Sequence, residues 1–385
     1  MRAQKNISRK TYRTQTHATT RLPYEKPLKR KVKKRKNFFA IFFALIILGC
    51  YGYYACPYIF NHFLRPLYVN KILNRNIKLN VEEYVFPTYK YLANSHILNT
   101  PLIVPKTQNP KDFAQIKIVG ELTQTKEKLL ELFKNYSNLK PAVFVWEYSS
   151  GYGIEINADE IYESASIIKI PIAFELIRLI DSSQNTAFPI NLKDKKVFKE
   201  EFRTLGSGDL QYTKGDVAYT LDYLADIMIS NSDNSATNMI LHEIGGMDGL
   251  NRATRNAGLK VTSMRQWLPD LEGYNKTTAR EISTILYNIN NPSYIPPKYK
   301  NVLKEYLGNT RNIHLLKEKL PPDAMVLHKT GNIATMLGDS GIIYSANGKK
   351  YIVTILVKRP KNDYSAKLLI QDASLLIYND INALK

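Results

Sequence analysis

The spacing of apolar residues divides the chain into stretches of different character. Residues 37–60 are uncharged and mostly apolar, long enough as a helix rising 1.5 Å per residue to cross a hydrocarbon core of roughly 30 Å. Residues 62–113, rich in Asn, Tyr and Lys with several prolines, hold neither a helical nor a strand period and read as a spacer. Regular patterning then begins. Leu129, Leu130, Leu132 and Phe133 mark a helix over 125–136, and two β-rich runs, 142–148 and 152–157, meet through Ser149, Ser150 and Gly151 as a hairpin. Residues 166–180 are apolar almost all round, the pattern of a helix buried in mid-protein, with Pro171 tolerable only in its first turns. Shorter helices follow at 219–229, 235–244, 248–256 and 277–289, closed by a Pro-rich stretch around Pro296 and Pro297. Strand character returns at 336–344 and 350–358, joined by the hairpin signal Asn347-Gly348. A last helix over 364–384 carries Leu369, Ala373, Leu376, Ile377, Ile381 and Leu384 on one stripe. This order predicts an α+β domain: one antiparallel sheet built from both ends of the domain, with flanking helices and an inserted all-helical lobe. The expected division is a tail 1–36, a transmembrane helix 37–60, a juxtamembrane spacer 61–114 and a folded domain 115–385.

Charge sharpens this division. Of the net charge of +20, about 13 sits in residues 1–36, which hold 14 Lys or Arg against one acid, Glu25. A basic face for nucleic acid should lie on the folded domain, interleaved with stacking or base-reading groups, so no nucleic-acid partner is expected. The lysine-rich run 29–36 instead reads as an orientation signal: the tail stays cytoplasmic, the helix contacts membrane lipid, and everything after Phe60 lies outside. An alternative takes residues 38–49 as a signal-peptide core and Cys50 as a lipidated residue, which leaves the domain on the same side. Cys50 and Cys56 are the only cysteines, so the domain is expected to hold no disulfide and no cysteine-based metal site. His17, His62, His96, His242, His314 and His328 show no ligand spacing; neither metal nor cofactor is expected. His328 precedes Lys329 on a presumed strand, where alternation points it to the opposite face.

Three short motifs occur in order: Ser166-Ile167-Ile168-Lys169, Ser232-Asp233-Asn234 and Lys329-Thr330-Gly331. Each alone is weak, as Ser137-Asn138-Leu139-Lys140 matches the first pattern at a solvated helix end. Ser166 differs in its setting. At the start of an apolar helix its hydroxyl has Lys169 one turn further on the same face, and the helix N-terminus favours developing negative charge. A serine that attacks a carbonyl needs a proton acceptor, and a lysine desolvated among cations can serve once its pKa falls. The plainer possibility is that Lys169 pairs with an acid such as Glu163.

Together the motifs resemble those of class A β-lactamases and penicillin-binding proteins. Gly206-Ser207-Gly208-Asp209-Leu210-Gln211, the run from Tyr219 to Ala225, Ser232 to Asn238, and Gly338-Asp339-Ser340-Gly341 also look like that family, and the likeness covers roughly residues 115–385. It implies a β-lactamase/transpeptidase-like fold and a substrate that is a β-lactam or a D-alanyl peptide of the cell wall. By motif, Ser166 would be the acylated nucleophile, Lys169 its activator and Ser232 the proton shuttle to the leaving nitrogen. Asn234 would bind the substrate amide, Lys329 and Thr330 its carboxylate, and Gly331 would let the strand come close. The N–H groups of Ser166 and Asn332 would form the oxyanion hole. One departure matters: hydrolytic class A enzymes place a deacylating Glu just before a Pro, where Trp267-Leu268-Pro269-Asp270-Leu271-Glu272 offers Leu268. Asp270 or Glu272 could stand in from a shifted position, though both read more simply as solvated loop acids. Slow deacylation suits a peptidase or a binding and sensing module better than an efficient β-lactamase. A sensor would need a partner, because a 36-residue tail is too short to be a signalling domain.

Overall fold

The computed structural model describes residues 113–384. The tail, the apolar segment with Cys50 and nearly all of the spacer lie outside them, and among the described residues no helix is long and apolar enough to cross a membrane. The folded body already includes the last spacer residues. Phe113 is buried edge-on against Tyr294, and Ala114 exchanges main-chain bonds of 2.9 and 2.8 Å with the side chain of Asn288.

Six strands form the main sheet, in spatial order β1 (Gly120–Glu121), β3 (Tyr152–Ile156), β2 (Lys140–Glu147), β10 (Lys350–Lys358), β9 (Met336–Tyr344) and β8 (Met325–Ile333). Both ends of the domain thus supply the sheet, joined along the β2–β10 seam, where Val145 lies opposite Val353. One expectation is corrected. The sheet is mixed rather than antiparallel throughout, because β1 runs parallel to β3. A two-residue strand carries no alternation to read, and it reaches β3 by lying beside it rather than through a hairpin.

Strict alternation along the central strands makes two cores. Tyr351, Val353, Ile355 and Val357 of β10 meet α1 (Thr123–Lys134) and α8 (Ser365–Asn382), while Ile352 and Leu356 face the inserted lobe. Between the latter two, Thr354 would be a polar intruder, but its hydroxyl lies 2.6 Å from that of Ser340 and 2.7 Å from that of Ser283, so the buried group is satisfied. The lobe comprises α2 (Lys169–Ser183), α3 (Leu221–Ser230), α4 (Asn234–Glu243), α5 (Gly246–Asn256), α6 (Ala279–Tyr287) and α7 (Pro297–Gly308). The stretch read as a Pro-rich closure is therefore the start of α7. Pro297 fits its first position, where a missing N–H costs nothing.

Two small ribbons brace the lobe: β5 (Lys195–Phe198) with β6 (Val217–Thr220), and β4 (Tyr162–Glu163) with β7 (Lys276–Thr277). The second positions the segment that leads into α2. The helix expected from Ser166 begins instead at Lys169, with Ser166 in a 3-10 turn, Ala165–Ile168. Ala165 enters that turn at φ +42°, a conformation that sequence pattern cannot announce for alanine.

Candidate active site

The turn that carries Ser166 is fixed from both sides. Its entry is held by the Ser164 N–H, which donates to the Asn275 carbonyl at 2.8 Å, and the Ile167 N–H closes the turn onto the Ser164 carbonyl at 3.0 Å. From the sheet, edge strand β8 presses Gly331 against it. A β-carbon at Gly331 would lie 2.8 Å from Ile167 Cγ1 and 3.2 Å from the Ser164 carbonyl, so only glycine permits this approach. Ser166 itself remains partly exposed.

Lys169 is fully buried at the start of α2. Its ammonium donates to the Ser232 carbonyl (2.6 Å), Ser232 Oγ (3.2 Å) and Asn234 Oδ1 (2.9 Å). All three partners belong to the second motif. Glu163, the acid that could have claimed Lys169, pairs with Lys276 at 3.0 Å across the β4–β7 ribbon. Lys329, also fully buried, reaches the same hydroxyl from β8: Nζ donates to Ser232 Oγ at 3.0 Å and to the Thr330 carbonyl at 2.9 Å. Two lysines therefore converge on one serine. Burial drives Lys169 well below the usual lysine range, the charge of Lys329 pushes further in that direction, and Asp233 opposes both. Burial likewise brings Lys329 down to about 7, against the pull of Asp339.

Ser232 adopts a left-handed φ of +56°, and Asp233 explains how the motif holds that shape. Its carboxylate caps α4 through the Ala236 N–H (2.9 Å) and accepts the Leu210 N–H (2.8 Å) from the glycine-rich loop. Gly208 lets that loop pass; a β-carbon there would meet Asp233 Oδ2 at 2.2 Å. Asn234 donates from Nδ2 to the Leu205 carbonyl at 3.1 Å, so both ends of its amide are engaged. Thr330 is buried beside Lys329, while Asn332 is exposed at the strand end. His328 points to the other face of β8, where its Nδ1 lies 2.9 Å from Asp339 Oδ2 in a fully buried pair. That pair, further supported by the Leu316 N–H on Asp339 at 3.1 Å, belongs to the core.

The two candidate deacylation bases differ in setting. Asp270 is buried with its oxygens taken by the N–H groups of Tyr274 and Asn275, both at 2.8 Å, and Glu272 is exposed. Asp270 shapes its own loop. Asp270→Ala should therefore cost about 2–4 kcal/mol of stability in urea unfolding and leave the lifetime of any acyl-enzyme unchanged. Sequence reading also missed Asn238, whose amide grips Leu268 on both sides: Oδ1 accepts the Leu268 N–H (3.2 Å) and Nδ2 donates to its carbonyl (2.9 Å). Asn238 stands four residues after Asn234 on α4, hence on the same face, so the loop carrying Leu268 is tied to the helix that lines the site.

Among the described residues no group of His, Cys, Asp or Glu could hold a metal ion. The chemistry present is that of a serine hydroxyl, two amines of lowered basicity and an edge strand.

Residues 124–381 match the family model described as the beta-lactamase enzyme family. A β-lactamase from Bacillus licheniformis is 31% identical over 179 residues, 43% of this chain and 57% of that relative; one from Streptomyces albus G is 23% identical over 276 residues, 68% and 85%. Among solved structures, PBP-A superposes with a TM-score of 0.65 at 29% identity, covering 71% of this chain and all of that one. A Leu-to-Glu variant of PBP-A, similar to the same degree, was captured as an acyl-enzyme with penicillin G. With the motif residues assembled on this fold and the family model spanning the whole lobe and most of the sheet, the chain belongs to the beta-lactamase enzyme family and is a serine hydrolase.

Proposed function

We propose that the domain forms an acyl-enzyme at Ser166 with β-lactams or D-alanyl wall peptides. The convergence of two buried lysines on Ser232 Oγ, beside the turn that carries Ser166, supports this reading most strongly. Ser166 Oγ attacks the carbonyl carbon as its proton passes to a neutral Lys169 amine; the C–N bond breaks, and Ser232 delivers a proton to the leaving nitrogen. Ser232 suits a relay because its oxygen accepts from both amines, leaving its own hydrogen free to point at substrate. The N–H groups of Ser166 and Asn332 stabilise the oxyanion, Asn234 binds the substrate amide, and Lys329 with Thr330 holds a carboxylate. As the outermost strand, β8 offers main-chain groups to an extended substrate.

Asp270 is committed to the N–H groups of its own loop and Leu268 stands where hydrolytic relatives hold a Glu, which supports an acyl-enzyme that persists. This favours a peptidase-like or sensing role over rapid antibiotic destruction. The apolar segment 37–60 with its basic flank supports a single-pass anchor in membrane lipid, tail inside and domain outside, the alternative being a lipid on Cys50.

The test is intact-mass spectrometry of the full chain in detergent with penicillin G, followed over time. A one-to-one adduct mapping to Ser166 and lasting for hours is the expected result. Rapid turnover without accumulation would mean an efficient hydrolase, and no adduct would end the β-lactam reading. A pH profile adds a second check. As pH rises through about 7, Lys329 loses its charge, so acylation by carboxylate-bearing substrates should decline on the alkaline side. A thioester lacking the carboxylate should show no such decline. Coincident profiles would remove Lys329 from carboxylate binding.

A further inference from the structure

The far end of the substrate strand is held by a side chain that belongs to none of the motifs. Arg359, the first residue after β10, donates from Nη2 to Asn332 Oδ1 (2.5 Å) and the Ile333 carbonyl (3.0 Å), and from Nη1 to the Asp363 carbonyl (3.2 Å). Main-chain bonds reinforce it: the Arg359 N–H donates to the Thr335 carbonyl at 2.9 Å, and the Asn362 N–H to the Ala334 carbonyl at 2.8 Å. The turn between β8 and β9 is thus clasped by the segment that leaves β10.

This clasp is not needed to fill a core. Asn332 is exposed, and the guanidinium is only partly covered, with Nε enclosed and making no hydrogen bond among the described residues. Burial of the guanidinium also works against its charge. Such an arrangement needs a reason beyond packing. Gly331 is pinned by the nucleophile turn, but Asn332 is the next residue out, on a strand with a neighbour on only one side. An oxyanion donor is worth its usual factor of about 10²–10³ only when aimed at the oxyanion's position. A displacement of about 1 Å can forfeit 10²-fold.

We infer that Arg359 is a positioning residue for acyl transfer: its fork holds Asn332 so that the Asn332 N–H stays directed at the developing oxyanion. The inference rests on the role given to that N–H above. A planar fork can hold a side-chain oxygen and a carbonyl at once in a fixed geometry; a lysine, as a flexible point donor, cannot.

The test resolves acylation by penicillin G into a binding constant and a first-order acylation step, and records the carbonyl stretch of the acyl-enzyme by infrared difference spectroscopy. Arg359→Ala should slow the acylation step by about 10- to 100-fold with binding nearly unchanged, and move the carbonyl stretch to higher wavenumber as its polarisation weakens. Arg359→Lys should recover only part of both. Adding Arg359→Ala to Asn332→Ala should cost little more than Asn332→Ala alone, since the arginine acts through that residue. An unchanged acylation step and stretch, or a loss confined to melting temperature or binding, would overturn the inference. If Arg359→Ala fails to fold, Asn332→Ala must by itself reproduce the slower step and the shift; if it does not, the inference falls. A wild-type chain that forms no adduct fails differently, taking down the acyl-transfer reading on which this one stands.

Discussion

Replacing Lys169 by methionine should slow acylation of Ser166 by roughly 10³-fold, within the 10²–10⁴ range of a positioned general base, while leaving the melting temperature within a few degrees. The two halves of this expectation have separate causes. The amine is fully buried, and both desolvation and Lys329 disfavour its charge, so it is available as a proton acceptor where an ordinary lysine would not be. Methionine keeps the stem's volume and removes the desolvation penalty, which offsets the loss of donors to Ser232 and Asn234. Stopped-flow acylation with a chromogenic β-lactam, beside a thermal melt, separates the two. A variant that acylates at the wild-type rate would transfer the role to Lys329. A variant that loses rate only in proportion to its folded fraction would make Lys169 a structural residue.

A second large effect runs in the opposite direction. Leu268→Glu should shorten the life of the acyl-enzyme by about 10²-fold or more and release hydrolysed penicillin. Leu268 is buried, and its main chain is clamped by Asn238 on the face of α4 that also presents Asn234 to Lys169. A carboxylate set there would share the environment of the reacting serine, and partial burial would raise its pKa toward the working pH, as suits a base. Stability should drop by about 1–3 kcal/mol for the buried acid. Mass spectrometry of the adduct over time decides: a folded variant whose adduct lasts as long as that of wild type would show that Leu268 is not what keeps the acyl group in place.

The three motifs were legible because their residues come in particular types, and their order along the chain survives without knowledge of the fold. What joins them was harder to read. Asp270 looked like a solvated acid or a base because its true partners are two N–H groups of its own loop, which carry no sequence signature. Arg359 acts through contacts between segments distant in the chain and nothing local marks it, while Asn238 lay inside a family-like run that gave no sign of its hold on Leu268. The sheet's assembly from both ends was visible in alternation at 350–358 and 142–148, whereas β1 was too short to alternate at all. The β5–β6 ribbon was missed because its first strand, Lys195–Phe198, opens with two lysines and has only one buried residue, Phe198. The turn at Ser166 looked helical because Ile167, Ile168 and Ile170 continue the apolar run; the left-handed Ala165 reflects what the packed ribbon imposes rather than any local preference.

The seam between β2 and β10 also sets a timetable. Val145 and Val353 are neighbours in the sheet but stand some two hundred positions apart in the chain, and such distant pairing forms late because loop closure must come first. Lys329 and Asn332 lie on the strand at the far side of that seam, so their positions beside the Ser166 turn are fixed only after β10 has been synthesised. A nascent chain stalled before β10 would already contain every motif residue, but with β8 and β9 not yet joined to β2 and two sheet edges left open. A cut upstream of β10 should therefore leave an aggregation-prone fragment instead of a weaker enzyme.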